Sequence, residues 1–128
     1  MIFKLRHNLY FGDANSFLEI EKDTVTSIVN VADDFFIHEK DIEKYKYVHV
    51  ALSLKQMNPS YIKDLAAHAV KYQMQYGETV LVVAPDAFKR SAFIACRVVC
   101  ELEEKGILEI LQEVKKKVPD FKMGDAYL

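Results

Sequence analysis

Cysteine is scarce in this chain, Cys96 and Cys100 being its only two. No disulfide framework can hold it together, and such usage fits a reducing compartment. Long apolar runs are missing as well. Nothing approaches the ~18 to 20 residues that cross a bilayer, and the opening MIFKLRHNLY lacks the apolar core and small-residue cleavage site of a secretory signal. The chain therefore reads as intracellular, with a cytoplasmic location and no membrane contact expected. A dominant sign of charge is absent too: 17 basic residues against 19 acidic ones leave a net charge of −2, which gives no electrostatic reason to expect nucleic acid or an anionic membrane as partner. No repeat, linker or low-complexity tract divides the 128 residues, a length that suits one domain with one core. With 51% hydrophobic and 28% charged residues, the body of the chain is not disordered.

What is present is a strong central stretch, TVLVVAPDAFKRSAFIACRVVC, over residues 79–100. Residues 79–83 are β-branched or aliphatic without alternation, as in a strand buried on both faces of a mostly parallel sheet. A short loop over 84–89 follows, then Arg90 and Ser91 lead into an apolar run of helical length. Strand, tight loop and buried helix form an anion cradle, because the free N–H groups and partial positive charge of the helix start converge on the loop. Cys96 and Cys100, four apart inside that helix with no further ligand nearby in sequence, read as core thiols. No metal or cofactor is expected.

Before this stretch, residues 2–5 and 9–12 read as two short strands, the second ending at Gly12. Asp13 to Ser16 offer helix caps ahead of a short helix over 17–21, and 24–31 is β-branched and strand-like. Asp33 and Asp34 read as a solvated loop, with no third ligand nearby for a metal. Residues 47–50 read as another buried strand, with His49 a satisfied core or edge histidine. Asn58 and Pro59 predict an N-cap and first helical residue. The helix that follows has Ile62, Leu65, Ala66, Ala69 and Val70 on its inner face, His68, Tyr61, Tyr72 and Tyr76 packed beside it, and a stop at Gly77. Beyond Gly106, residues 107–117 are amphipathic and end before Pro119, with Lys115, Lys116 and Lys117 placed where the helix macrodipole favours cations. Strands alternating with helices predict an α/β domain: a central, twisted, mostly parallel sheet flanked by helices.

The segment LVVAPDAFKRSAF resembles the signature loop of the dual-specificity protein phosphatases, His-Cys-x-x-Gly-x-x-Arg-Ser/Thr. Leu9-Tyr10-Phe11-Gly12 is similar to the Leu-Tyr-Leu-Gly that opens their catalytic domain. The resemblance runs from Leu9 to Leu128 and implies the dual-specificity phosphatase fold in a single domain over 1–128. Asp125-Ala126-Tyr127-Leu128 is similar to the segment that leads into the family's final helix, so the chain is expected to lack that helix and leave apolar surface for a second copy or another protein.

On the family's pattern the loop histidine falls on Val83, the nucleophilic cysteine on Ala84 and the glycine on Ala87, while Arg90 and Ser91 match. Pro85 offers no N–H to a phosphate, Asp86 adds a negative charge, and Phe88 and Lys89 complete the degenerate loop. The general acid of the neighbouring loop falls near Leu54, in a stretch without a carboxylate over 51–58. A methyl group cannot ionise or attack phosphorus. The resemblance thus implies a pseudophosphatase that acts by binding or scaffolding a protein partner, phosphorylated or not, or by pairing as a homodimer. A non-hydrolysing phosphate or phosphopeptide binder through Arg90 and Ser91 is the alternative reading, and different chemistry at Asp86 is a third. Arg90 itself has two readings: a clamp for an anion, or a structural partner of Asp86.

Overall fold

The four residues of Val80–Val83 (β5) are all buried, and in the computed structural model they form the middle of a five-stranded sheet whose spatial order is Ile2–Arg6 (β1), Leu9–Gly12 (β2), β5, Ser27–Ala32 (β3), Lys46–Leu52 (β4). The structure describes residues 1–21 and 24–122, with the side chains of Phe17, Ala87 and Phe88 outside that description. The expected lead into a final helix at Asp125 to Leu128 also lies outside it. β1 and β2 make an antiparallel hairpin. β2, β3 and β4 run parallel in one block with β5. The mixed α/β architecture expected from the sequence is therefore present, with one antiparallel strand at its edge.

Side-chain parity along the strands divides the core. Leu9, Phe11, Val29, Val31, Val80 and Val82 face the larger cluster, under Ser60–Gln75 (α2) and Ala92–Glu103 (α3), with Ile107–Lys117 (α4) packed on α3. Ile28, Leu81 and Val83 face a smaller cluster that Ile42 of the short helix Glu39–Ile42 (α1) helps to cover. Period-two alternation with both parities apolar is what a two-faced parallel sheet demands. Among the described residues no helix is long and apolar enough to cross a membrane.

Several local expectations are corrected. The strand expected at 24–31 spans Ser27–Ala32, and the short helix at 17–21 is one 3-10 turn, Ser16–Leu18. β4 is a sheet edge with alternating exposure rather than a strand buried on both faces. His49 on it is satisfied by the Ala32 carbonyl at 2.6 Å. Asn58 does not cap α2: its amide spans the preceding loop, accepting from Ser53 N at 2.7 Å and donating to Ser53 O at 2.8 Å. α2 therefore starts one residue late, at Ser60 behind Pro59, with no side-chain cap. Its buried residues are Ala66, Ala67 and Val70, so the inner face is turned away from Leu65, which is exposed along with Tyr61, Tyr72 and Tyr76. Gly77 does end the helix, at φ +82, in the left-handed region open to glycine.

Candidate anion-binding site

The carboxyl ends of β2, β5, β3 and β4 lie along one edge of the sheet, the edge where open α/β folds place their sites. Gly12 ends β2, and its carbonyl accepts from Ala84 N at 3.3 Å and from Ser91 Oγ at 3.0 Å. That one oxygen ties both ends of the 84–91 loop to the hairpin. The approach is close: a side chain at Gly12 would run into Ser16 and the Met1 carbonyl. After β5 the chain passes through buried Ala84 and half-buried Pro85 and Asp86. It then makes a single π-helical turn, Ala87–Ser91, that feeds directly into α3. Lys89 points to solvent, while Arg90 and Ser91 are buried.

Arg90 is the largest fully buried side chain among the described residues, with 0% of its surface exposed. Burying a guanidinium demands partners, and it has them on three loops. Nη1 donates to the Leu52 carbonyl at 2.9 Å, at the end of β4, and to Asp33 Oδ1 at 3.2 Å. Nη2 lies 2.8 Å from Asp34 Oδ1 and 3.8 Å from Asp86 Oδ2. Neither Nε nor Nη2 completes a hydrogen bond, so Nη2 meets its carboxylates as ion pairs only, and Asp86 Oδ1 has no hydrogen-bond partner. Three carboxylates thus face one guanidinium. Burial pushes the Asp86 carboxyl above its usual value, and the attraction of Arg90 only partly offsets this.

The acids are positioned by Asn30, a buried polar residue near the end of β3. Its Nδ2 donates to Phe35 O at 2.7 Å and to Tyr47 Oη at 3.0 Å, and its Oδ1 accepts from Ala32 N at 3.0 Å. Asp33 N donates to the same Leu52 carbonyl that Arg90 uses, at 3.0 Å. The turn after β3 is therefore fixed on both sides, and its two carboxylates are aimed at the guanidinium.

The sequence placed Arg90 and Ser91 together, and they are neighbours here, but in different roles. Ser91 fastens the loop to Gly12, while Arg90 fastens it to β3 and β4. The expected Asp86 partner is the longest of the three ion pairs. Asp33 and Asp34, read as a solvated connection, supply the shorter two. Val83 ends β5 beside Gly12 and Asn30. Leu54 sits half-buried against the core. The backbones of Ala87, Phe88 and Lys89 lie in the π turn. Among the described residues no cluster of three histidine, cysteine or acidic side chains is placed to hold a metal ion.

The thiols lie further along α3. Burial drives Cys96 up to about 12 and raises Cys100 as well, which leaves both as neutral thiols near pH 7. Two signals could have found the missed groups: an asparagine inside a β-branched run, and the need of a buried arginine for acids at the ends of neighbouring parallel strands.

No family profile matches the sequence, and no curated protein resembles it. Solved structures do. Tk-PTP in its active form superposes with a TM-score of 0.83 over 98% of this chain and 90% of its own, at 14% identity. Human DUSP28 gives 0.80 over 98% and 86%, at 15% identity. The human tyrosine phosphatase-like serine/threonine/tyrosine-interacting protein gives 0.78 over 98% and 89%, at 14% identity. The chain has the fold of the dual-specificity and protein-tyrosine phosphatases.

Proposed function

We propose that this chain is a non-catalytic protein of the phosphatase fold that acts by binding another protein. The observation that carries the reading is the state of Arg90, a buried cation ion-paired to the chain's own carboxylates. A phosphate approaching that guanidinium meets Asp33, Asp34 and Asp86 first, and like charges at such distances repel strongly. In the resemblance to the family's loop, Ala84 stands in place of the thiol, Val83 in place of the histidine and Leu54 near the general acid. Nothing at those positions can attack phosphorus or protonate a leaving oxygen. One protein of this fold is named phosphatase-like and as a serine/threonine/tyrosine-interacting protein, and that supports a binding role for a member without chemistry.

The test combines a phosphatase assay with thermal unfolding in millimolar phosphate or vanadate. The expected result is no turnover and no rise in Tm, since a ligand that does not bind the folded state cannot stabilise it by mass action. A rise in Tm that Arg90→Ala removes would replace this reading with that of a phosphopeptide binder. Turnover lost in Asp86→Asn would replace it with an enzyme of different chemistry.

A further inference from the structure

Tyr61, Leu65, His68 and Tyr72 recur along α2, and Tyr76 follows as its C-cap, at intervals of four, three, four and four, the spacing that keeps side chains on one helical face. That face is opposite the buried Ala66, Ala67 and Val70. Tyr61, Leu65, Tyr72 and Tyr76 are 68%, 51%, 48% and 67% exposed, and His68 is exposed with them. The rings are already in contact within the chain, Tyr72 and Tyr76 at 4.7 Å between centroids and His68 and Tyr72 at 6.3 Å. Five such side chains in a row are more than the scattered apolar residues of an ordinary surface.

We propose that this face of α2 is the contact face of a two-fold homodimer, with α2 packed antiparallel on α2 of a second copy across His68. The stripe reads nearly the same from either end. Counted from His68, Tyr61 and Tyr76 lie seven and eight residues away and Leu65 and Tyr72 three and four, so a two-fold axis at His68 sets Tyr61 against Tyr76 of the second copy and Leu65 against Tyr72. An isologous interface has this self-complementary order. The charges beside the stripe obey the same axis. Asp64 lies four residues before His68 and Lys71 three after it, which brings each opposite the other across the pair. Within one chain they end a ladder of alternating sign: Asp64 bonds Arg97, Arg97 lies 3.5 Å from Glu101, and Glu101 lies 2.5 Å from Lys71. An antiparallel partner meets the acidic end of that ladder with its basic end.

The area fits a weak dimer. Taking roughly 200 Å² for a whole tyrosine, the four apolar side chains leave about 450 Å² open per copy, or about 900 Å² for a pair. The flanking charges bring the contact to the ~1,000 Å² expected of a specific interface. The dimer is therefore reversible, with a dissociation constant in the micromolar range. It is independent of the Arg90 site, and its test reads mass rather than phosphate chemistry.

Sedimentation of the full chain from ~1 μM to ~0.5 mM brackets such an affinity. The parent should pass from monomer to dimer within this range, and Leu65→Glu with Tyr72→Glu should shift the transition at least ~100-fold upward while leaving the thermal unfolding of the exposed helix face nearly unchanged. Under mild oxidation His68→Cys should give a disulfide-linked dimer that the parent, with Cys96 and Cys100 only, does not give. A parent that stays monomeric throughout overturns the proposal. So does a dimer whose affinity the double variant leaves unchanged, or a His68→Cys protein that cross-links no more than the parent.

Discussion

Replacing Asp33 and Asp34 together by asparagine removes two of the three negative charges from Arg90 while keeping the shape of both side chains. Breaking a buried ion pair by deleting one partner typically costs about 3–5 kcal/mol, because a charge is left uncompensated. Here the cost is smaller. The two carboxylates are themselves 46% and 54% exposed, the asparagine oxygens can still accept, and both the Leu52 carbonyl and Asp86 remain. About 2 kcal/mol is the expected loss, or roughly 6–10 °C in Tm for a domain of this size. The variant should also bind phosphate more readily than the parent. With two negative charges removed, an anion approaching the guanidinium is no longer strongly repelled, and 10 mM phosphate binding with a Kd of about 1 mM would return about 1.4 kcal/mol. The assay is thermal unfolding of parent and variant with and without phosphate, at constant ionic strength so that screening is matched. A variant that melts within about 1 °C of the parent and ignores phosphate would refute the argument that these acids hold and block Arg90.

Three further outcomes follow from the same geometry. Arg6 donates from Nε to Glu103 at 2.6 Å and from Nη1 to Glu113 at 2.5 Å, joining the hairpin to α3 and α4. Its hydrogen bonds pull Glu103 down to about 2 from an ordinary 4.5. A depressed carboxylate contributes stability above its unfolded value and loses it as pH falls through the folded one, so Arg6→Met should cost about 1–2 kcal/mol at pH 7 after allowance for solvent screening, and urea titrations should show the difference shrinking from pH 4.5 toward 2. Asp86 has the opposite sign: its raised value means that the ionised form is penalised by folding, so Asp86→Asn should raise Tm at pH 7 and the gain should fade as pH is lowered toward 3.8. Glu104 caps α3 at φ 54, a left-handed conformation that disfavours a side chain. Glu104→Gly should therefore stabilise by about 1 kcal/mol, read as a rise of roughly 3–5 °C.

The elements that declared themselves in the sequence are those whose signal is local. An unbroken β-branched run such as Val80–Val83 has few alternatives to a buried strand, and the apolar run after Ser91 has the length of a helix. The resemblance of the loop supplied the fold and singled out Arg90. What stayed hidden depends on tertiary partners. Asp33 and Asp34 look like any acidic turn until β3 and β5 are adjacent and Arg90 is buried beneath them. Asn58 had a stronger local option than capping, closing the loop to Ser53. Leu65 was misassigned because its size suggested the core: Ala66 and Ala67 carry the close contact of α2 with the sheet, while Ile62, Ala69 and Val70 lie where the sequence placed them.

That last error bears on function. A helix whose fully buried residues are alanine and valine, with Ile62 and Met74 packed at the edge of the core, and whose outer face is tyrosine and leucine, places four large side chains where they contribute little to the core of one chain. Truncating a buried aliphatic costs about 2–5 kcal/mol, whereas an exposed tyrosine on α2 should change the stability of the monomer by only about 0.5 kcal/mol. The stability of a single chain therefore does not account for the stripe, whereas the proposed packing on a second copy would. Arg90 shows the reverse: its charge faces inward and is consumed by the chain's own acids. At the sheet edge Arg90 is paired with the chain's own acids, while the outer face of α2 is exposed. Dilution and phosphate should accordingly act on separate properties. Dilution should change the mass of the particle without altering the Asp33, Asp34 and Arg90 cluster, while the Asp33→Asn with Asp34→Asn protein should gain phosphate sensitivity and keep the same dimer affinity. A change in dimer affinity in that variant would mean that the two surfaces are coupled through β3 and α2, contrary to the separation argued from their positions on the sheet edge and the helix face.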